Sequence, residues 1–175
     1  MNIINAEIKA ACKHPEMMEN FLYKENAVFK GTDHQTDTYF HVKKGRLKLR
    51  EGNIENALIY YHRNDEAGPK KSEVTLYPVI QGSQLKEILE NSIGIKIIVH
   101  KTRKIFFVDN VKFHLDTIHG LGQFIEIEAT GKPGVTDPGK LMQQCRGYMK
   151  KFRISESDLV PKSYCDLLEA KKGVP

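Results

Sequence analysis

The sequence predicts a mainly β, α+β protein in which about eight short antiparallel strands form a barrel or a sandwich. The first observation is that apolar and polar residues alternate in short segments, which is typical of strands with two different faces. The second is that glycine, proline and asparagine separate these segments as tight turns. The third is that the few helix-like segments each carry one apolar stripe, which needs a partner surface.

The predicted strands are rich in β-branched and aromatic residues, which favour extended backbone. In chain order they span residues 3–11, 28–30, 35–42, 46–50, 56–63, 72–79, a strand that begins at 95–100 and continues through 106–109, and a hairpin over 111–128. A turn over residues 31–34 is expected to separate the second strand from the third. A loop that contains a Gly-Pro pair is expected over residues 65–71.

Four helices are predicted from apolar residues at helical spacing, over residues 15–24, 84–92, 139–152 and 163–171. Pro15 suits the first turn of its helix, because a proline there sacrifices no intrahelical hydrogen bond. Gly94 is expected to end the second helix. Ser163 is a good N-cap for the last one.

The hairpin over residues 111–128 places carboxylates on one face of two neighbouring strands. Glu126 and Glu128 are two residues apart and therefore share a face, and Asp116 is available from the neighbouring strand. Close carboxylates repel one another unless they are exposed, protonated or joined by a cation, and hard divalent ions prefer such oxygen ligands. For this hairpin alone, a solvated edge face is the simpler interpretation.

Basic residues share strand faces in the same way. Arg46, Lys48 and Arg50 alternate with Leu47 and Leu49, and such a comb of cations binds phosphate oxygens well. If the helices cover the apolar faces of the strands, the charged faces look inward across a closed barrel. A lumen of unpaired charges is costly without a ligand, so the pattern favours a wet cavity that binds a polyanion together with a divalent metal. The residues expected to meet there are the cations Lys9, Lys48, Arg50, Arg63, Lys101 and Arg103 and the carboxylates Glu7, Asp116, Glu126 and Glu128.

Composition narrows the class of protein further. The net charge of +5 and the pI near 9.0 favour an anionic partner. A chain of 175 residues suits a single domain, here residues 1–175. No apolar run is long enough for a membrane span and no signal-peptide pattern is present, so we expect a cytoplasmic protein without a membrane partner. The three cysteines and seven histidines form no metal-binding motif. His114 shares the face of Asp116, but a structural or surface role explains it more simply.

Several motifs occur in an order that is similar to one known family. They are AEIKA, QTDTYF, GRLKLRE, LIYYHR followed by AGPKKS, KTRKIFF, HLDTIHGLGQFIEIE and SYCDLL. Together they resemble the CYTH superfamily, the triphosphate tunnel metalloenzymes, and within it the class IV adenylyl cyclase branch. The resemblance extends over residues 5–168.

The resemblance implies a closed eight-stranded antiparallel barrel that forms a tunnel, with helices packed on the outside. It implies Mg²⁺ or Mn²⁺ as the cofactor, held by Glu7, Asp116, Glu126 and Glu128. It implies triphosphate binding by Lys9, Lys48, Arg50, Arg63, Lys101 and Arg103, with Lys70 closing over the substrate from the Gly-Pro loop. Among these residues, Lys101, Arg103 and Asp116 are the expected catalytic groups. The family signature Glu-x-Glu-x-Lys begins here with Asn5, and this uncharged residue leaves a second metal site and the reaction itself open.

Three functions remain open from the sequence. The first is an enzyme, either a cyclase that converts ATP to cyclic AMP and pyrophosphate or a triphosphatase that acts on thiamine triphosphate, a nucleotide or inorganic triphosphate. The second is a basic barrel that binds nucleic acid by stacking bases on aromatic residues, which the inward carboxylates disfavour. The third is a phosphate-ligand sensor without catalysis. A homodimer is also left open.

Overall fold

The structure, a computed structural model, describes residues 2–62 and 70–173, with the backbone alone at residues 2 and 70–73. Within these ranges, eight strands form a closed barrel in the order β1-β5-β4-β3-β2-β6-β7-β8. Every neighbouring pair is antiparallel. The closed eight-stranded barrel that the resemblance implied is therefore confirmed.

The elements follow one another with short connections. The strands are β1 (Asn2–Ala11), β2 (Val28–Phe40), β3 (Arg46–Glu51), β4 (Ala57–His62), β5 (Lys70–Pro78), β6 (Ile95–Val108), β7 (Val111–Ile118) and β8 (Gly122–Gly131). The helices are α1 (Pro15–Lys24), α2 (Leu85–Ile93), α3 (Pro138–Lys151) and α4 (Tyr164–Lys172), with one 3₁₀ turn at Glu156–Asp158.

The turn that the sequence predicted over residues 31–34 is wrong. β2 runs through this region without interruption and pairs with β6, and a register shift between Phe29 and Gly31 marks a bulge. Gly31 has a φ of +141°, and a Cβ at this position would lie 2.9 Å from Cδ1 of Ile54. The glycine therefore serves a bulge and a close approach rather than a turn. The strand predicted to begin at residue 95 and to continue through 106–109 is confirmed as β6.

The main core lies between the outer face of the barrel and helices α1 and α3. Phe113 of β7 and Ile127 of β8 are fully buried there against Leu141 and Cys145 of α3. Leu22 joins them from α1. This packing satisfies the apolar stripes of the two helices and leaves the charged faces of the strands inside the barrel. α2 differs, since none of its residues is buried.

A smaller core closes one end of the barrel. Tyr164 and Cys165, at the start of α4, pack against Tyr39 of β2, Ile97 of β6 and Phe124 of β8. These strand residues have the same parity as the charged residues of their strands and therefore face inward. Ser163 caps α4 by accepting a hydrogen bond from the backbone N–H of Asp166, as the sequence predicted. No helix in the described ranges is long and apolar enough to cross a membrane.

Candidate active site

The interior of the barrel is a cavity of about 430 Å³. It is bordered by most of the charged residues that the sequence placed there, namely Glu7, Lys9, Lys48, Arg50, Lys101, Arg103, Glu126 and Glu128. Period-two alternation explains the convergence, because every second residue of each strand points inward in a closed barrel. Arg63 and the side chain of Lys70, which were also expected at the site, lie outside the described residues.

Asp37 of β2 organises the basic side of the cavity. Its carboxylate accepts hydrogen bonds from Nζ of Lys48 at 2.9 Å and from Nζ of Lys101 at 2.8 Å. Nε of Arg50 donates to the same carboxylate at 2.9 Å. Burial alone would raise the pKa of Asp37, but the positive charges of Arg50, Lys101 and Lys48 outweigh it and hold the pKa well below its ordinary value. Three cations thus share one carboxylate and keep donor capacity for a further anion.

Lys101 shows how strongly this side of the cavity favours an anion. Burial, together with the positive charges of Arg103 and Arg50, lowers the pKa of Lys101 well below its ordinary value despite the contact with Asp37. An anionic ligand in the cavity would oppose these effects and stabilise the charged amine. A negative charge beside Lys101, on the basic side of the cavity, is therefore electrostatically favourable.

The acidic side of the cavity centres on Glu126 of β8. One oxygen lies 3.2 Å from Nζ of Lys9, and the other accepts from Arg103 at 2.6 Å and lies 3.3 Å from Nδ1 of His114. Burial would raise the pKa of Glu126, but Arg103 and Lys9 hold it well below its ordinary value. Nearby, Asn5 donates from Nδ2 to Glu128 at 2.7 Å. The two sides of the cavity meet at Arg103.

Asp116 differs from the other predicted metal ligands, because it does not border the cavity. Its carboxylate is 2% exposed and forms a two-point ion pair with Arg103, with Nε donating at 2.6 Å. The hydroxyl of Tyr164 donates to the same carboxylate at 2.8 Å. Both carboxylate oxygens of Asp116 therefore accept hydrogen bonds. Asp116 fixes the position of the Arg103 guanidinium without bordering the cavity itself.

The remaining acidic groups offer the oxygen ligands that a hard divalent ion prefers, although no three acidic or histidine residues of the cavity bring ligand atoms within 4.8 Å of one another among the described residues. Glu7 and Glu128 are register partners on β1 and β8, and directly opposed residues in antiparallel strands have Cβ atoms about 5 Å apart. Like charges at this separation favour a bound cation, and carboxylates are the preferred ligands of Mg²⁺ and Mn²⁺. Oδ1 of Asn5 is buried without a hydrogen-bond partner among the described residues, and it offers a neutral oxygen beside the carboxylates.

His114 also lies in the cavity, so its surface interpretation is wrong. The ring is buried, and burial together with the charge of Arg103 lowers its pKa, although the contact with Glu126 opposes this shift. Burial therefore favours the neutral form of the ring. Its Nε2 atom has no hydrogen-bond partner within the described part of the chain. Like Oδ1 of Asn5, this atom is costly to leave unpaired, which points to a ligand in the cavity.

The profile of the CYTH domain matches residues 4–164 of this sequence. The chain belongs to the CYTH family. The resemblance found in the sequence motifs is thereby confirmed.

Among proteins similar to this CYTH chain, one from Methanocaldococcus jannaschii is named "Putative adenylate cyclase MJ0240". It is 21% identical over 147 residues, which cover 83% of this chain and 81% of the relative. The PH1012 protein of Pyrococcus horikoshii has a similar fold, with a TM-score of 0.81 and 22% identity over 93% of this chain and 98% of its own. The Pct1 RNA triphosphatase of S. pombe shares the fold more distantly, with a TM-score of 0.53 and 12% identity over 87% and 83% of the two chains.

Among the residues that the sequence did not assign to the site, Glu55, Lys112 and Tyr164 border this CYTH cavity, and Asp37 holds its cations from behind. Asp37 and Lys112 carried a usable signal, because each has the parity of its strand's inward residues. Glu55 lies in the turn after β3. The alternation of inward and outward side chains applies only to strands, so it does not predict where the side chain of Glu55 points. The turn is fixed by Asp33, whose carboxylate accepts from the backbone N–H groups of Ile54 and Glu55 at 2.9 Å each.

Proposed function

We propose that this protein is a metal-dependent enzyme of the class IV adenylyl cyclase type. It would convert ATP to cyclic AMP and pyrophosphate, with release of one proton, inside the barrel. The observation that carries the proposal is the convergence of six cations and four carboxylates of the described residues on one cavity in a CYTH barrel. The name of the relative from M. jannaschii supports the same reaction.

The cations would bind the triphosphate chain. Asp37 forms ion pairs with Lys48, Arg50 and Lys101. Glu126 forms ion pairs with Lys9 and Arg103. Their positions are fixed by buried carboxylates before any substrate arrives, so little reorganisation is needed when negative charge develops on the phosphate oxygens. Such preorganised charge and in-line positioning carry most of the catalysis in phosphoryl-transfer enzymes. Lys101 and Arg103 are the catalytic groups in this proposal, and Arg63 and Lys70 remain predicted triphosphate ligands.

The proposed metal is Mg²⁺ or Mn²⁺, held by Glu7, Glu126 and Glu128. When bound, it would neutralise charge on the substrate's phosphate oxygens. We assign Asp116 a different role from the one that the sequence suggested, because its carboxylate is bound by Arg103 and Tyr164 and, unlike Glu126, it does not border the cavity. It would orient the Arg103 guanidinium rather than ligate the metal.

A triphosphatase is the second candidate. The same cations would hold the chain while water attacks a terminal phosphorus, and no described residue of the cavity selects a ribose hydroxyl over water. The fold likeness to Pct1, which is named an RNA triphosphatase, is compatible with this reaction. Nucleic-acid binding on the outside of the barrel has less support, because the principal cations face the interior.

One assay tests the proposal against its alternatives. Purified protein is incubated with ATP, thiamine triphosphate or inorganic triphosphate, each with Mg²⁺ or Mn²⁺, and cyclic nucleotide, pyrophosphate and phosphate are quantified. We expect cyclic AMP and pyrophosphate in equal amounts from ATP, and none in EDTA. Glu128→Gln should abolish this turnover, while Glu51→Gln, on the outward face of β3, should not. Phosphate without cyclic AMP would favour the triphosphatase, and full activity of Glu128→Gln would refute the metal site.

A further inference from the structure

Two neighbouring strands, β4 and β5, line the cavity without any charged side chain in their described parts. Their outward residues are exposed, for example Tyr60 at 40% and Tyr77 at 66%. Their inward residues are Tyr61 and five apolar residues that we call the apolar wall, namely Ala57, Ile59, Val74, Leu76 and Pro78. The wall contrasts with β1, β3, β6 and β8, each of which presents charged residues to the same space.

The apolar wall is not part of the hydrophobic core described above. None of its members belongs to the core under α1 and α3 or to the core at α4. Val74 and Leu76 are half-buried and Pro78 is exposed, so part of their apolar surface faces the cavity. Apolar surface that is not packed inside a protein and lies in a concave site commonly binds the apolar part of a ligand.

The wall begins directly beside the triphosphate-binding cations. In the register of β3 and β4, Lys48 is opposite Ile59, and Arg50 is opposite Ala57. In the next pair of strands, Ile59 is opposite Leu76. Neighbouring strands lie about 5 Å apart. The wall residues of β4 therefore lie about 5 Å, and those of β5 about 10 Å, from the strand that carries these cations. A ligand of modest size can reach both surfaces at once.

We propose that the apolar wall binds the flat ring of an organic triphosphate and makes the cavity select such substrates over inorganic triphosphate. The inference rests on the proposed triphosphate site but depends on different residues. An inorganic triphosphate would leave the wall in contact with water. A ring joined to the triphosphate chain would cover it, and removing that apolar surface from water favours binding. A nucleobase and the rings of thiamine share this chemistry, and the experiment distinguishes them.

Calorimetric titration of the full chain with ATP, thiamine triphosphate and inorganic triphosphate tests the inference. EDTA is present in each titration, so that metal-dependent turnover does not interfere. Wild-type protein should bind at least one organic triphosphate about tenfold more tightly than inorganic triphosphate. Leu76→Ser should weaken binding of that organic ligand about tenfold and change the Kd for inorganic triphosphate less than twofold. Tyr77→Ser, on the opposite face of the same strand, should leave all three constants unchanged.

Val74→Thr provides a second, nearly isosteric variant in case Leu76→Ser folds poorly. It should raise the Kd for the organic ligand about threefold and leave the Kd for inorganic triphosphate unchanged. Equal affinity of wild-type protein for organic and inorganic triphosphate, or equal losses for both in the wall variants, would overturn the inference while leaving the triphosphate site intact. No binding of any triphosphate in EDTA, together with no turnover of any of them with Mg²⁺ or Mn²⁺, would overturn the proposed function and the ring site together. If the wall variants bind ATP more weakly, the ring is a nucleobase. If they bind thiamine triphosphate more weakly, the wall binds the rings of thiamine.

Discussion

Asp37 and Arg50 face each other on β2 and β3 and form a two-point ion pair inside the barrel. Nε of Arg50 donates to Oδ1 at 2.9 Å, and a terminal nitrogen donates to Oδ2 at 3.0 Å. Lys48 and Lys101 donate to Oδ2 as well. This single carboxylate therefore fixes three of the cations that we assign to the triphosphate, which prepares the cavity for a polyanion.

Replacing Asp37 should destabilise the protein strongly. Asp37→Asn leaves three cations in a buried site without their common anion, and removal of one partner of a buried ion pair costs about 3–5 kcal/mol. Because the pKa of Asp37 is lowered, its contribution is present above the ordinary pKa of 3.8 and is lost only as the pH falls through the lower folded value. Urea denaturation at pH 7 measures the loss.

The surface carboxylate Glu25 supplies the control for this variant. Glu25 pairs with Lys151 on the outside of the molecule, so Glu25→Gln should cost less than about 1 kcal/mol. Inorganic triphosphate should restore more stability to Asp37→Asn than to the wild type, since it replaces the missing negative charge. A loss for Asp37→Asn no larger than that for Glu25→Gln would show that the other carboxylates suffice.

Glu55 binds two cations of the cavity and should compete for them with a polyanion. It accepts from Arg50 of β3 at 2.9 Å and from Lys112 of β7 at 3.2 Å, although β2 and β6 separate these strands in the barrel wall. Glu55→Gln removes the competing charge and should lower the Kd for inorganic triphosphate about three- to tenfold in calorimetric titrations. Glu51→Gln, on the outward side of β3, should have no effect. Weaker binding by Glu55→Gln would instead make Glu55 a part of the binding surface.

The sequence predicted site residues that share the face of one strand and did not assign residues whose role depends on which strands pair. Lys48 with Arg50, and Glu126 with Glu128, are two residues apart, so their shared faces follow from the strand period alone. The partners of Asp37 lie 11, 13 and 64 residues away on β3 and β6, and the pairing of β2 with both of these strands brings them together. Gly31 was interpreted as a turn because a single glycine does not distinguish a turn from a bulge.

His114 should make stability depend on pH in the weakly acidic range. Its folded pKa lies below the ordinary value of 6.5, so the unfolded chain binds more protons between the two values. The stabilising contribution is therefore present above pH 6.5 and is lost as the pH falls through the folded pKa. Urea denaturation between pH 5 and 7 should show this loss in the wild type and a smaller one in His114→Asn. Identical pH profiles would show that His114 does not titrate differently on folding.

Asn5 should control how strongly the stability of the protein depends on metal. Its amide nitrogen donates to Glu128 at 2.7 Å, and the nearly isosteric Asn5→Asp replaces that hydrogen bond with repulsion between two carboxylates. Without metal, thermal melting in EDTA should show a Tm several degrees below the wild type, corresponding to about 1–3 kcal/mol. Mg²⁺ or Mn²⁺ should raise the Tm of the variant more than that of the wild type, because the added carboxylate is a further ligand. Asn91→Asp, on the exposed surface of α2, should show neither change. If metal raises the Tm of Asn5→Asp no more than that of the wild type, the acidic side of the cavity does not bind the ion through this position.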